Sequence, residues 1–252
     1  MIRGLYTSAL GMITHMSRMD VVTNNIANAN TTAYKRDHVV SHAFTDRVIN
    51  RINDPGVRMF NSWPIGRISP GVFVDDIFTS FTQGAFQQTD NPLDLALAGQ
   101  GFFVVNVGEE ELFTRDGAFT LGNNGLLMTM DGGRVQGAGG DIIIPPGEIV
   151  IDETGRIYSA GTYVDTLRLT TFTDLHSLRK LQDNFFRTTE GSEEIPFLGT
   201  VQQGFLESSN VNIVQEMMQM IILSRAYETN SRMVQIQDAT LQHAVNDIAR
   251  RQ

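Results

Sequence analysis

The side chains that could support metal binding are few in this chain and form no complete ligand set. His38 and His42 are four residues apart, a spacing that could place two imidazoles on one face of a helix. No clear third ligand accompanies them. The chain has no cysteine, which excludes disulfides, thiolate metal ligands and cysteine nucleophiles. We therefore interpret the pair as two polar surface histidines and predict no metal site.

The carboxylates and glycines indicate no catalytic centre. Four aspartates lie beside turn signals, where this residue commonly bonds its own backbone: Asp75, Asp76, Asp90 and Asp94. A glycosidase-like pair among them is an open alternative that nothing favours. Gly99-Gln100-Gly101 precedes an apolar stretch instead of following one, so it is better interpreted as a tight turn than as a phosphate-binding loop. We predict no catalytic residue, no cofactor-binding residue and no cofactor.

Composition indicates a folded protein and excludes some partners. Of the 252 residues, 41% are hydrophobic and 19% are charged, as in globular domains. The net charge of -9 argues against nucleic acid and against an anionic membrane surface, because both attract a surplus of lysine and arginine. No apolar run approaches the roughly 20 residues of a membrane span. The start of the chain lacks the uninterrupted apolar core of a cleavable signal peptide, so export would need another route.

Both chain ends carry apolar residues at seven-residue steps, which predicts long helices with a continuous apolar seam. No proline occurs in the first 54 or the last 56 residues. The predicted seam residues are Leu5, Met12, Met19 and Ile26 in the first helix, and Ile213, Met220, Tyr227, Val234, Leu241 and Ile248 in the last. One apolar stripe is more often ordinary core than an oligomer interface. Here, however, the seams extend beyond what the centre could cover, and methionine adapts to non-identical neighbours.

Local signals place the ends of these helices. The first helix is predicted from about Ile2 to Asn28, where a polar run of asparagine and threonine competes with helical hydrogen bonds. For the last helix, Ser208-Ser209-Asn210 before Val211 offers oxygens that could cap the first turn. From Val72 to about Thr173, short branched and aromatic runs alternate with turns roughly every ten residues, which is typical of an antiparallel meander or barrel.

Together these patterns predict an α+β fold with paired terminal helices, joined as a coiled coil, and an antiparallel β-rich centre. The predicted parts are a helical assembly domain in residues 1–36 and 205–252, an extended connector in 37–71 and a β-rich outer domain in 72–204. Such a plan suits self-assembly better than catalysis.

Three motifs follow one another along the chain. They are Gly4-Leu5-Tyr6 through Tyr34-Lys35-Arg36, Asp90-Asn91-Pro92-Leu93-Asp94 into Gly101-Phe102-Phe103 with Thr114-Arg115-Asp116-Gly117, and Leu206-Glu207-Ser208-Ser209-Asn210-Val211-Asn212 with Arg225-Ala226-Tyr227-Glu228. In this order they resemble the signatures of bacterial flagellar rod and hook proteins. The motif residues that the resemblance marks are Asn24, Asn25, Asn28, Asn30, Thr31, Tyr34, Lys35, Asn91, Pro92, Leu93, Asp94, Asn210, Val211 and Asn212.

One position departs from the family pattern. Ala33 stands where the family usually has glycine. If the loop there needs a positive φ, alanine is strained at that position. The four asparagines before it, by the same resemblance, would finish the first helix and orient the connector.

The resemblance implies a structural subunit of the flagellar basal-body rod. Such a protein is exported by the flagellar type III apparatus, polymerises with its own copies into a helical tube and contacts other rod and hook proteins. The resemblance favours the distal-rod type, which transmits torque from motor to hook, over the proximal-rod type. It implies location in the basal body, no enzyme activity and no direct insertion into a membrane.

Two readings from other functional classes are weighed against this one. The first is a coiled-coil adapter or adhesin with a β head, which would form fixed small oligomers. The second is an enzyme acting on cell-wall carbohydrate through Asp90 or Asp94.

Overall fold

The computed structural model describes residues 2–50, 64–181, 184–189 and 191–249, and these divide into two compact units. The first unit contains the described residues of Met1–Asn24, Asp37–Phe78 and Val214–Gln252. The second contains those of Asn25–Arg36 and Thr79–Ile213. The chain therefore leaves the first unit and returns to it twice.

The predicted terminal helices are confirmed. Helix α1 spans Ile2–Ala27 and helix α2 spans Ile213–Ala249, 26 and 37 residues respectively. Helix α1 ends where the polar run begins, as expected. Helix α2 begins two residues later than the predicted start at Val211, and the side chain of Asn210 contacts other segments. The Ser209 hydroxyl accepts a hydrogen bond from Val211 N, 3.3 Å away, ahead of the helix.

The first unit also contains strands from the range predicted as a connector. They are β1 (Asp37–Ala43), β2 (Arg47–Asn50) and β3 (Pro64–Ile68). Strand β4 (Val72–Thr79) follows in the range predicted as the outer domain, and all but its last residue belong to the first unit. Strand β1 pairs with β4, and β2 pairs with β3 in antiparallel register, with Val48 opposite Arg67. The described part of this range is thus extended chain held in two-stranded pairs.

The second unit holds the β-rich centre. Its strands are β5 (Phe86–Gln88), β6 (Leu95–Ala98), β7 (Phe102–Val107), β8 (Glu110–Thr114), β9 (Phe119–Leu121), β10 (Leu127–Thr129), β11 (Arg134–Gly137), β12 (Gly140–Asp141), β13 (Ile149–Ile151), β14 (Arg156–Ser159), β15 (Thr162–Thr166), β16 (Leu169–Phe172), β17 (Leu178–Lys180), β18 (Phe185–Thr188), β19 (Glu194–Pro196), β20 (Thr200–Gln203) and β21 (Phe205–Glu207). A single-turn 3₁₀ helix at Leu175–Ser177 precedes β17.

One sheet of ten described strands organises this unit. Its main path runs β17-β18-β8-β7-β11-β10-β9, with β12 beside β11, β16 beside β7 and β19 beside β16. Smaller antiparallel groups accompany it: β13-β14-β15, β20 with β6, and β21 with β5. The antiparallel β-rich centre predicted from the sequence is therefore present.

Strand β7 lies at the centre of the core because both of its faces are buried. Phe103 and Val105 point into one cluster of buried apolar side chains, and Phe102 and Val104 point into another. Alternate residues of a strand face opposite sides of its sheet. The continuous apolar run in the sequence is thus explained by a strand that is covered on both sides.

The loop after α1 contains Ala33, the position at which the sequence departs from the family pattern. Ala33 has a φ of 54° and is almost fully buried. A left-handed backbone costs a residue with a Cβ about 1–2 kcal/mol. The conditional expectation for this position is met, since the loop does require a positive φ.

We expect glycine to be tolerated at this position although it removes a buried methyl group. In Ala33→Gly, relief of strain should offset the lost methyl and the added chain entropy, leaving the free energy of unfolding within about 1 kcal/mol of the parent. Ala96→Gly is the matched control, because Ala96 is equally buried in extended strand β6. It should lose about 2 kcal/mol in urea unfolding. Equal losses for the two variants would contradict a strained Ala33.

Candidate functional site

A buried ionic cluster joins three distant parts of the second unit. The carboxylate of Glu207, at the end of β21, lies between two cations. Lys35 Nζ is 2.6 Å from Glu207 Oε1, and Arg115 donates from Nε and Nη2 to Glu207 Oε2 at 3.0 and 2.9 Å. The backbone N–H of Gly84 donates to Oε1 at 2.7 Å. Each of the three charged side chains is at most 4% exposed.

The two cations also have other acceptors. Lys35 Nζ donates to the carbonyl of Thr82 at 3.0 Å. Arg115 Nη1 donates to the carbonyls of Gly99 and Gly101 at 2.6 and 2.7 Å. The turn at Gly99–Gly101, which the sequence suggested was not a phosphate site, thus binds a guanidinium through its carbonyl oxygens. The cluster is satisfied from within the protein.

Backbone contacts run alongside the ionic cluster. Ala33 N donates to Glu207 O at 2.7 Å, and Asn210 N donates to Tyr34 O at 3.3 Å. Arg36 N donates to Asn210 Oδ1 at 2.7 Å. We call these three hydrogen bonds, together with the Lys35–Glu207 pair, the tether. It joins the segment after α1 to the segment before α2.

The segment after α1 also contacts the β17–β18 hairpin and the central motif. Asn184 Nδ2 donates to Thr32 O at 3.0 Å, and Lys180 Nζ lies 3.6 Å from the centre of the Tyr34 ring. Thr32 Oγ1 donates to Asp116 Oδ1 at 2.9 Å. The segment is therefore held on several sides, and its conformation is set by tertiary contacts.

Burial shifts the pKa of two groups around the tether. Burial lowers the pKa of the Lys35 ammonium; the Glu207 carboxylate opposes this shift and the Arg115 guanidinium adds to it. Burial raises the pKa of Asp116, against the stabilising hydrogen bond from Thr32. The ionic cluster thus carries one more positive charge than negative, and the desolvation of Lys35 is only partly offset.

The predicted central motif forms a compact turn. Asn91 Nδ2 donates to Asp94 Oδ1 at 2.9 Å, and Asn91 Oδ1 accepts from Leu93 N at 3.3 Å. Gln203 Nε2 donates to the Pro92 carbonyl at 2.9 Å. These bonds give the motif a structural role, since the amide of Asn91 substitutes for backbone partners within the turn.

The other asparagines that the resemblance marks differ in burial and in hydrogen bonding. Asn25 is buried and accepts from the Tyr34 hydroxyl at 3.2 Å, and Asn28 Oδ1 accepts from Thr31 Oγ1 at 3.2 Å. Asn24, Asn30 and Asn212 are exposed, and Val211 is half-buried. Asn210 has the densest contacts, because its Nδ2 also donates to the carbonyls of Ser80 and Thr82 at 2.8 and 3.0 Å.

The predicted helix seams are partly covered. The residues Leu5, Met12, Met19, Ile26, Met220, Tyr227, Val234 and Leu241 are all half-buried. Ile213 is exposed, and the side chain of Ile248 lies outside the described residues. Among the described side chains of α2, the most buried apolar one is instead Leu223, which the predicted seam missed.

Two glycines of α1 mark where the helices approach each other. A Cβ on Gly4 would meet the side-chain amide of Gln237, and one on Gly11 would lie 2.8 Å from Asn230 Nδ2. A seven-residue step forward in α1 thus corresponds to a seven-residue step back in α2. The two helices are antiparallel, and glycine is used where the approach is close.

Other faces of the helices carry exposed apolar side chains. On α1 these are Tyr6, Ile13 and Met16, and on α2 they are Val214, Met217, Met218, Ile221, Ile222, Met233, Ile236 and Val245. Ile13 is 61% exposed and Val214 is 71% exposed. Exposed apolar surface is unfavourable in water, and large patches of it usually mark contacts with another protein.

The candidate chemical residues are dispersed. His42 Nε2 is 3.5 Å from Asp75 Oδ2. The centres of the His38 and Phe78 rings are 6.1 Å apart. Within the described ranges, no three histidine, aspartate or glutamate side chains are grouped so that they could hold a metal ion. None of the described helices is long and apolar enough to cross a membrane.

Two residues of the ionic cluster were absent from the predicted site. Arg115 and Glu207 lie within the quoted motifs but were not singled out. Their signal was a charged residue close behind apolar strand residues, Leu112-Phe113 in one case and Phe205-Leu206 in the other. Such a placement predicts a buried charge with a partner, but it does not say which partner.

Comparison with known proteins gives matches along most of the chain. Residues 5–35 match the family model "Flagella basal body rod protein", residues 96–159 match "Flagellar hook protein FlgE/F/G D1 domain", and residues 202–247 match "Flagellar basal body rod FlgEFG protein C-terminal". The residues of the tether and the ionic cluster come from all three matched ranges. The exceptions are Arg36 and the backbone groups of Thr82 and Gly84, which lie outside them.

Full-length relatives are also found. Flagellar basal-body rod protein FlgG of Bacillus subtilis is 31% identical over 98% of this chain and 99% of its own length. FlgG of Agrobacterium fabrum is 34% identical over 94% and 95% of the two chains. Flagellar basal-body rod protein FlgF of Caulobacter vibrioides is 34% identical over 91% of each.

We predict that removing the charge of Glu207 strongly destabilises the second unit. Glu207→Gln would leave Lys35 and Arg115 buried without a counter-charge, which should lower the free energy of unfolding by about 3–5 kcal/mol. The measurement is urea unfolding followed by circular dichroism.

The matched control is Glu111→Gln, which breaks a solvent-exposed pair with Arg168 at 2.7 Å. It should cost less than about 1 kcal/mol, because water screens exposed pairs. A Glu207 variant as stable as this control would show that the buried cluster is not needed for the fold.

Proposed function

The chain belongs to the family of bacterial flagellar basal-body rod and hook proteins, and we propose that its paired terminal helices form the inner layer of the rod. It is a structural subunit of the rod, of the distal-rod type represented by the FlgG relatives, and it is not an enzyme. It polymerises with its own copies, associates with other rod and hook proteins and resides in the flagellar basal body.

The helices of one subunit are proposed to pair as an antiparallel coiled coil. The close approaches at Gly4 and Gly11 support this arrangement. So do eight covered residues of α2 whose spacing alternates between steps of four and three: Glu216, Met220, Leu223, Tyr227, Asn230, Val234, Gln237 and Leu241. This is the a/d pattern of a coiled coil. The predicted seam residues would supply one half of that pattern.

The exposed apolar faces are proposed to be the contacts between subunits. Tyr6 and Ile13 are seven residues apart, so they lie on the same face of α1. Val214, Met217 and Ile221 follow helical spacing on α2. Burial of apolar area contributes roughly 25 cal/mol per Å², so covering these side chains would make each added subunit favourable. The resulting helical layer would be stiff enough to transmit torque from motor to hook.

The proposed division of labour assigns residues 1–36 and 205–252 to assembly, 37–71 to a connector and 72–204 to an outer domain. Contacts in the protein add one refinement. Residues 25–36 and 79–213 form a single unit, so the segments that flank the helices are built into the β-rich centre.

Export through the flagellar type III apparatus, without a cleavable signal peptide, completes the proposal. Helices whose apolar faces are uncovered are marginal alone, so the ends of the isolated subunit should be largely disordered. An unfolded end suits passage through a narrow channel. The net charge of -9 supports the expectation that nucleic acid is not a partner.

A second candidate is the proximal-rod type of the same family. The FlgF relative, 34% identical over 91% of each chain, favours it. The architecture and the assembly surface proposed above apply equally to that type. An adhesin or adapter role has no support from the comparisons.

Limited proteolysis tests the state of the isolated subunit. Trypsin should remove both ends of the monomer well before it cuts the second unit, because cleavage follows local unfolding. Mass spectrometry of the fragments gives the order of cleavage. Ends that resist trypsin as long as the centre does would contradict the proposed disorder.

A single exposed side chain of α1 tests the assembly surface. Ile13→Asn should leave the stability of the monomer nearly unchanged, since Ile13 is 61% exposed, but should abolish or sharply reduce rod formation and swimming in soft agar. The loss per contact would be about 2 kcal/mol, repeated at every subunit.

The control is Asp20→Asn, an exposed position one seven-residue step further along α1. It should swim normally. Both variants need to reach wild-type levels in the cell. Normal swimming by the Ile13 variant would remove this face of α1 from the proposed interface.

A further inference from the structure

The tether and the helix contacts share one register. From Gly4 to Ala33 the chain advances 29 residues, and from Gln237 to Glu207 it goes back 30. Counted from the Ala33–Glu207 contact, the contacts Gly11–Asn230 and Gly4–Gln237 therefore lie at nearly equal numbers of residues along the two chain segments. The helical parts are also nearly equal, 23 steps from Gly4 to Ala27 and 24 from Gln237 to Ile213. Two helices rise equally per residue, so helical segments of nearly equal length stay in step.

Little chain separates the tether from either helix. Five residues lie between Ala27 and Ala33, and two lie between Asn210 and Ile213. The five residues contain hydrogen-bonded turns from Ala29 N to Ile26 O and from Thr31 N to Asn28 O. The segments on both sides are thus short, and the first is internally braced.

We propose that the tether sets the register of the two terminal helices, so that they pair from its position outward toward the chain ends. This inference rests on the helix pairing proposed above. The tether lies in the second unit, which does not need the helices for its core. It can therefore be in place before the helices order.

The helices need such a device because their own pattern permits slippage. A repeat of seven residues fits almost as well after a shift of seven, and methionine-rich seams adapt to changed neighbours. A shift of this size moves one helix by about 10 Å along the other. The two residues before α2 cannot absorb that movement, and the five after α1 could do so only by losing their turns.

The tether also favours pairing by proximity. Effective concentration falls roughly as the three-halves power of the length of the connecting chain. Through the tether, the helices are joined by a few residues on each side. Without it, they are joined through the whole segment between Ala27 and Ile213.

Disulfide formation can measure the register directly, because the chain has no native cysteine. The in-register pair is Gly11→Cys with Asn230→Cys. The two slipped pairs are Gly11→Cys with Gln237→Cys, and Gly4→Cys with Asn230→Cys. Each pair is placed in the full-length chain and oxidised in assembled rods, where the helices are proposed to be ordered, and the intramolecular product is separated from intermolecular products and quantified by gel mobility.

The cysteine pairs are compared in further variants, which distinguish loss of the tether from a general loss of stability. Lys35→Met with Asn210→Ala removes the ion pair and the Asn210 side-chain contacts, while Arg115 and Glu207 remain paired. Lys35→Met alone is a milder variant, should the double variant fold poorly. Ile157→Val is the control, since Ile157 is buried in the core of the same unit and is not part of the tether.

With the tether intact, and in the Ile157 control, the in-register pair should give about tenfold more product than either slipped pair. In the tether variants this ratio should fall to within about threefold, because shifted pairings become accessible. An unchanged ratio in the tether variants would overturn the register proposal alone. Equal yields for all three pairs with the tether intact would overturn the antiparallel pairing itself.

Discussion

The structure depends on one buried carboxylate. Glu207 is held by Lys35 and Arg115, and its own backbone carbonyl, together with Asn210, holds the loop that follows the first helix. A charge buried this deeply is tolerated only when its partners are in place. The amino-terminal segment, the central motif and the end of the last strand must therefore fold together. The same interaction holds the residue segments just after α1 and just before α2 within the β-rich unit.

This constraint complements the composition of the helices. The β-rich unit has two apolar clusters on either side of strand β7 and is complete in itself. The helices instead keep large apolar side chains on their outer faces, such as Ile13 and Val214. A stable centre joined to helices that lack covering partners is a sound arrangement for a rod subunit. It can be stored as a monomer and stiffened by assembly.

Local sequence was sufficient for the elements but not for their partners. The proline-free ends and seven-residue steps predicted both helices, and turn spacing predicted the antiparallel centre. The predicted seams were less informative, because Leu223 is more covered than any predicted residue of α2 whose side chain is described. A step of seven fixes a helix face, whereas the contacts of that face depend on what packs against it. Ala33 was recognised as a departure from a family pattern, and its φ of 54° gives the physical reason.

The sequence by itself determined the α+β plan and the family of the chain. Only the tertiary structure decided that Lys35, Arg115 and Glu207 form one cluster, since Lys35 and Glu207 are 172 residues apart. A charged residue beside apolar residues indicates that its side chain is buried, but it does not identify the partner. The partner is set only when strands and loops from distant parts of the chain pack together. The antiparallel register of the helices was decided in the same way, by close approach at glycines whose neighbours the sequence does not name.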